Sequence, residues 1–253
     1  MMKDKQVFDN YSLYYDLLYS DKEYDREVKY IDNLLQSYSI KGNRLLEFGS
    51  GTGIHGNKLA LKGYEVFGIE LSQEMVNIAQ QNKRFQCKQG DMTSSEVHGE
   101  FDAVLSLFHV VSYLTTKKQL YKFFSNCSRN LSKGGLLIFD LWYTPAVEFS
   151  PPELRIKKMK NNKLDVIRLT EPTIDRKNKC VDVNFTIFSK KSRDNFWIKN
   201  TETHKMRHFS KKEIYEAAKR NNFTLLRNEE FLTSRPLSKE TWGACFVFKK
   251  NKN

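Results

Sequence analysis

The sequence predicts a single α/β domain: a doubly wound, mostly parallel sheet with an antiparallel β meander inserted near its end. Three observations predict it. Short apolar runs alternate with segments of helical periodicity between residues 44 and 141, as in parallel βαβ units joined by right-handed crossovers. After Pro145 that alternation gives way to long β-rich runs separated by turn signals. The 253 residues suit one large core better than two independent ones.

From Val7 to Tyr38, Tyr11, Tyr14, Tyr15, Leu18 and then Val28, Ile31, Leu34 and Leu35 recur at spacings of three and four, which predicts helix; Gly42 punctuates its end. Apolar runs predict five strands, at Arg44–Phe48, Glu65–Ile69, Phe85–Gln89, Phe101–Leu107 and Leu136–Leu141. Helical segments lie between them at Ile54–Lys62, Gln73–Asn82 and Lys117–Leu131. Pro151-Pro152 then breaks the chain, and β runs follow at Asp165–Thr170, Lys179–Phe188 and Asn195–His208. Ser210 with Glu213 three residues on forms a capping box opening a helix to Arg220, and two strands, Thr224–Glu230 and Trp242–Lys249, complete the core sheet. The expected organisation is a helical lid (1–40), a ligand-binding core (41–145), a β insertion over the second substrate (146–209) and a closing helix with strands (210–253).

Composition narrows the class. No run of about 18 apolar residues occurs, so no membrane span is expected. The opening Met-Met-Lys-Asp-Lys-Gln leads into no secretory stretch, which places the chain in the cytoplasm as an expectation. Cys87, Cys127, Cys180 and Cys245 form no C-x-x-C pair, and no metal site is expected. The net charge of +12 concentrates in Arg155, Lys157, Lys158, Lys160, Lys163 and Arg168, and again from Lys190 to Lys212. That surplus suits an anionic partner, and a solvated basic surface accounts for it equally well.

Chemistry concentrates after the first strand. In Gly49-Ser-Gly51-Thr-Gly53 the glycines let backbone approach a ligand, and the loop opens a helix with free amides. Gly51, Gly53 and Gly56 also match G-x-G-x-x-G, so a dinucleotide is an alternative. Glu47, two residues before the first glycine, argues against it: a carboxylate there accepts from a cationic amino group and repels a pyrophosphate. Glu70, ending the second strand, is placed to accept from both ribose hydroxyls.

Glu47-Phe-Gly-Ser-Gly-Thr-Gly53, Gly68-Ile-Glu-Leu-Ser72, Gln89-Gly-Asp-Met92, Phe101-Asp-Ala-Val-Leu105 and Leu131-Ser-Lys-Gly-Gly135 together resemble the ordered motifs of class I S-adenosylmethionine-dependent methyltransferases. The resemblance implies a Rossmann-like seven-stranded sheet of order 3-2-1-4-5-7-6, with S-adenosylmethionine as donor and S-adenosylhomocysteine as product. It implies that Glu47, Gly49, Gly51, Gly53, Glu70, Leu71, Met75, Asp91, Met92 and Leu107 hold the cofactor: Asp91 by the adenine amino group, the Met92 amide at the ring, Glu70 at the ribose, Leu71 and Met75 against adenine.

A looser resemblance extends to bacterial enzymes that methylate nucleotide-linked amino sugars, through Tyr15-Asp-Leu-Leu-Tyr19, Lys22-Glu-Tyr24, Thr52-Gly-Ile-His55, Phe108-His-Val-Val-Ser-Tyr-Leu114, Asp140-Leu-Trp-Tyr143 and Thr203-His-Lys-Met-Arg-His-Phe209. It implies that Tyr15 and Tyr24 reach the methionine carboxylate and that Tyr19 faces the acceptor. Where that subgroup carries a histidine near the acceptor this chain has Tyr113, and a histidine stands instead at His109. Imidazole titrates near neutrality and is the better base, whereas a phenol chiefly positions. His55 is expected to brace the glycine loop, while His204 and His208 share one strand face. Trp142, Tyr143 and Phe149 are candidate walls for a base or sugar ring, and Arg168, Arg207 and Arg235 candidate phosphate contacts. The expected reaction is methyl transfer to nitrogen or oxygen of a small phosphorylated acceptor, foremost a nucleotide-linked sugar in capsule or cell-surface carbohydrate synthesis. O-methylation of a phosphate or phosphoramidate, RNA methylation and non-catalytic cofactor binding are the alternatives. RNA is disfavoured by the lack of an N/D-P-P-Y tetrad or appended RNA-binding module. An exposed meander edge is a route to a homodimer.

Overall fold

The structure, a computed structural model, describes residues 15, 17–97 and 99–251. Tyr11 and Tyr14 lie outside the described residues. The single helix expected up to Tyr38 is interrupted: helical backbone ends at Leu18, a turn follows, and α1 runs Tyr24–Ser37. The Ser20 hydroxyl donates to the Leu17 carbonyl at 2.8 Å, a local bond that competes with helix continuation. Beyond the turn the predicted face holds, with Val28, Ile31, Leu34 and Leu35 buried.

The alternating half forms β1 (Arg44–Phe48), α2 (Ile54–Leu61), β2 (Glu65–Glu70), α3 (Gln73–Ala79), β3 (Gln86–Gln89), β4 (Phe101–Ser106), a 3₁₀ turn (Val110–Tyr113), α4 (Lys117–Asn130) and β5 (Leu131–Trp142). Thr116 caps α4 in a reciprocal box with Gln119. Pro145 begins a helix where the sequence suggested only a change of texture: α5 (Thr144–Phe149) carries it in the first turn, where its missing N–H costs nothing. Four antiparallel strands follow, β6 (Arg155–Lys160), β7 (Leu164–Asp175), β8 (Cys180–Lys191) and β9 (Ile198–Arg207), then α6 (Lys211–Arg220), β10 (Phe223–Glu230) and β11 (Gly243–Lys250). Strand β6 was not expected. Its Arg-Ile-Lys-Lys-Met-Lys sequence reads as charged surface, and lysines are what protect an open sheet edge.

Two sheets result. The larger has order β3-β2-β1-β4-β5-β11-β10, the order that the resemblance implies, with β11 antiparallel to β5. One face stacks Phe139 on Phe246 at a centroid distance of 5.7 Å, with Phe123 and Phe124 of α4 set edge-on. The other packs Leu45, Leu105, Ile138 and Val247 among the buried residues of α1. The smaller sheet, β6-β7-β8-β9, turns Val166, Val181, Val183, Phe185, Ile187 and Met206 toward Leu18 and Val147.

The sheets are sewn together at Phe209, which is fully buried. Its amide donates to the Trp142 carbonyl, and its own carbonyl accepts from the Thr144 amide, both at 2.9 Å. The next residue, Ser210, caps α6, and the Glu213 carboxylate accepts from the Ser210 amide and from Lys179 and Arg207. Burial by itself would raise this carboxyl, yet those donors hold it at about 2. A carboxyl lowered on folding stabilises above its unfolded value, and the stabilisation is lost as pH falls toward the folded value. Ser210→Ala should therefore cost about 1 kcal/mol in denaturant unfolding. Glu213→Gln should destabilise at pH 7, with the difference from wild type shrinking as the pH of the melt falls from about 4.5 toward 2.

Candidate active site

The glycine loop runs from the carboxyl end of β1 to α2. Gly49, Gly51 and Gly53 all have positive φ (70°, 56° and 80°), but their surroundings differ. A Cβ on Gly49 would meet Val110 Cγ1 at 2.3 Å, and one on Gly53 the Phe85 ring at 2.7 Å, so these two are held by packing within the protein. At Gly51 a Cβ would meet only Met75 Sδ, at 3.9 Å. The open space beyond Gly51 is where a ligand can approach the backbone.

Two carboxylates flank that space. Glu70 Oε2 accepts from the Gly51 amide and Oε1 from the Ser72 amide, both at 2.9 Å, which orients the carboxylate and ties the loop to β2. Burial raises the Glu70 carboxyl despite these bonds. Glu47 is 1% exposed, and its Oε2 has no hydrogen-bond partner among the described residues. Burial pushes Glu47 up to about 8; Lys22 opposes the rise and Glu70 adds to it. An orphaned buried carboxylate oxygen fits a missing cation, and the α-ammonium of the methionine moiety supplies one.

A chain of contacts closes over the loop. Tyr15 and Tyr19 rings lie 4.7 Å apart, Tyr19 meets the Phe108 ring edge-on at 5.1 Å, and the Lys22 ammonium sits 4.3 Å from Phe108 and 4.2 Å from Tyr24. Tyr24 packs on His55 at 5.0 Å. Lys22 is ion-paired to Glu27 of α1, whose Oε2 lies 2.7 Å from His55 Nε2, and His55 Nδ1 is 3.9 Å from Glu47. Burial lowers both Lys22 and His55; for Glu27 burial acts upward, but His55 and Lys22 hold its carboxyl below the usual range. His55 thus braces the loop against α1. Lys22 is the residue that sequence reasoning missed. It stood in a quoted motif, but nothing in the sequence shows that its ammonium is buried, beside Tyr24 and Phe108 and within electrostatic reach of Glu47.

The remaining cofactor candidates are spread around the loop. Met75 is buried behind Gly51, while Leu71 is 54% exposed. Asp91 Oδ1 accepts from the Thr93 amide at 2.7 Å, so this aspartate shapes its own turn while staying exposed. Met92 packs against the phenylalanine core, and Leu107 is buried on the α1 side of the sheet.

At the end of β4, Phe108 and His109 both adopt left-handed backbone (φ 64° and 61°), which costs on the order of 1–3 kcal/mol per residue unless over-determined. The His109 amide donates to Asp140 Oδ2 at 3.1 Å, and its Nδ1 lies 2.6 Å from the same oxygen. Asp140 is fully buried. Asp140 is thus the orienting partner of His109, and no sequence pattern linked them. Tyr113, at the end of the 3₁₀ turn, places its hydroxyl 2.8 Å from His204 Nδ1 of β9. Of the aromatic candidates, Trp142 packs edge-on to Trp242 between the sheets, Tyr143 is core, and Phe149 lies at the surface under Lys239. Among the arginines, Arg207 pairs with Glu213 and Arg235 with Glu230, while Arg168 turns inward and donates to the Tyr19 hydroxyl at 3.1 Å.

By its similarity to known proteins the chain is an S-adenosylmethionine-dependent methyltransferase, and the doubly wound sheet and the glycine loop suit that class. Residues 45–135 match the family model described as a methyltransferase domain. The chain is 29% identical over 251 residues to YqeM of Bacillus subtilis (strain 168), described as a methyltransferase, covering 97% of this chain and 98% of that one. It is 28% identical over 178 residues to the dTDP-3-amino-3,4,6-trideoxy-α-D-glucopyranose N,N-dimethyltransferase of Streptomyces venezuelae, covering 68% of this chain and 74% of that enzyme. The fold superposes on the sugar N-methyltransferase KedS8 of Streptoalloteichus sp ATCC 53650 with a TM-score of 0.83 at 17% identity, over 99% and 96% of the two chains.

If Glu47 receives the cofactor's ammonium, it must give up its proton on binding. Calorimetry below pH 8 in buffers of different ionisation enthalpy should show net proton release with S-adenosylmethionine, fading above pH 8 and absent in Glu47→Gln. Gly51→Ala should weaken cofactor binding at least tenfold, with little secondary-structure change by circular dichroism.

Proposed function

We propose that this methyltransferase N-methylates a small anionic acceptor, a nucleotide-linked amino sugar. The observation that carries the reading is the inward face of the four-stranded sheet. Among its apolar residues Val166, Val181, Val183, Phe185, Ile187 and Met206 it presents the polar side chains of Arg168, Glu202 and His204, and these meet the core at Tyr19 and Tyr113. Polar groups set into an apolar face are what fix the orientation of a small ligand. The Arg168 guanidinium, 4.8 Å from the Phe185 ring, gives the acceptor's phosphate a charge-assisted donor, and the Lys157 ammonium stands 5.7 Å from the Tyr19 ring on the same side. The Streptomyces venezuelae relative acts, by its name, on a nucleotide-linked amino sugar, in line with this chemistry.

The cofactor supplies an electrophilic methyl group, so the chain's own residues have mainly to position. Glu47 and Lys22 would hold the two charged ends of the methionine moiety, and Glu70 the ribose. Tyr19, His109 and Tyr113 would stand toward the acceptor, His109 fixed by Asp140. Near-attack positioning of this kind supplies roughly 7–11 kcal/mol of barrier lowering, and a neutral amine needs little more.

The test is label transfer from methyl-labelled S-adenosylmethionine to dTDP-3-amino-3,4,6-trideoxy-α-D-glucopyranose and related nucleotide amino sugars, read by mass spectrometry. Labelling of total RNA with none of these sugars labelled would sink the proposal. With an accepted sugar, Arg168→Gln should raise KM for it about tenfold, the equivalent of ~1.4 kcal/mol and in the range of a lost hydrogen bond to a charged group, and leave the cofactor Kd unchanged.

A further inference from the structure

We propose that Tyr113, His204 and Glu202 form a proton relay that carries the acceptor nitrogen's proton from the transfer site to solvent; this rests on the N-methylation reading above. Tyr113 Oη lies 2.8 Å from His204 Nδ1, and His204 Nε2 lies 3.2 Å from Glu202 Oε2. The histidine is 2% exposed and wedged against Phe185 at a ring distance of 4.8 Å, whereas the Glu202 side chain keeps 12% exposure and so reaches water. The line therefore starts at a proposed acceptor contact, crosses a dry interlayer and ends at the surface.

A latch between core and meander would not need these groups. Even paired with each other, a carboxylate and an imidazole set into an apolar face are costly to desolvate, and an apolar pair would join the layers at no such cost. Among the described residues, the ionisable groups around the relay include Tyr19 and Glu70 from the core and Arg168 from β7, beside Phe185. Burial first, then Tyr19, Glu70 and Glu202, push the Tyr113 phenol well above its ordinary range, so it keeps its proton at neutral pH. Tyr113 then serves as a conduit and not as a standing base.

The step balances as follows. The lone pair of the acceptor nitrogen forms the N–C bond while the C–S bond breaks, its electron pair returning to sulfur. The nitrogen, now cationic, gives one N–H proton to Tyr113 Oη, which releases its own proton to His204 Nδ1. The His204–Glu202 pair holds the added proton and discharges it to water at Glu202. The same path in advance of attack neutralises an acceptor that arrives as ammonium.

The relay requires neutral His204 with its proton on Nε2. Nitrogen-15 NMR of the S-adenosylhomocysteine complex, with the His204 signals assigned through His204→Gln, should show that tautomer at pH 7. An imidazolium or an Nδ1–H tautomer overturns the relay, and this readout needs no acceptor. In the transfer assay with dTDP-3-amino-3,4,6-trideoxy-α-D-glucopyranose, Tyr113→Phe and Glu202→Gln should each lower kcat at least tenfold with cofactor Kd unchanged. His204→Ala should regain rate when imidazole is added. Full rates in Tyr113→Phe and Glu202→Gln overturn the relay while leaving the methyltransferase reading intact. Absence of saturable S-adenosylmethionine binding by wild type overturns that reading instead.

Discussion

The architecture of the site turns on one desolvated carboxylate. Glu47 lies one residue from the end of β1 at the centre of a parallel sheet, where it is buried and its Oε2 has no partner among the described residues. Burial in that position favours the protonated form, and a bound cation favours the charged one. Much of the surrounding structure bears on that balance. Lys22, in the turn before α1, brings the opposing charge and is paired with Glu27 of α1, which in turn meets His55 of α2, so that these contacts fasten α1 to the glycine loop. The strained backbone at Phe108 and His109 belongs to the same arrangement, because the Phe108 ring lies under the Lys22 ammonium and the His109 amide is held by buried Asp140.

The second layer answers a different constraint. A four-stranded sheet returning to the core through buried Phe209 and a capped helix has to bury an apolar face, and most of its inward residues do that. Arg168, Glu202 and His204 interrupt the face where Tyr19 and Tyr113 approach it. Their positions concentrate polar chemistry at the meeting of the two layers, whereas the larger basic surplus of β6 and its neighbours lies toward solvent and protects a sheet edge.

The loop glycines illustrate how a motif and its physical cause can part. All three read alike in the sequence, as sites of close backbone approach. In the fold Gly49 and Gly53 are demanded by Val110 and Phe85, and only Gly51 leaves room for a ligand. The pair of histidines at 204 and 208 parts in the same way. The two share a strand face in the sequence, yet His204 meets Tyr113 across the interlayer, and His208, beyond the strand end, meets the Thr144 hydroxyl at 2.9 Å.

Local signals determined a good deal by themselves. Apolar periodicity placed nearly every strand and helix, because burial of one face is encoded in spacing; Ser210 and Glu213 announced α6, because a capping box is a contact three residues long. The placement of the glycine loop was legible for the same reason: Glu47, the glycines and Glu70 stand at the ends of adjacent strands in a fixed motif order. What only the tertiary structure decided are contacts between residues distant in the chain. Lys22 with Phe108 and Glu27 with His55 depend on how the segment before α1 turns back over the sheet; His109 with Asp140 depends on neighbouring strand ends. Tyr113 with His204 depends on how the meander returns over the core, a distance of 91 residues that no local propensity reports.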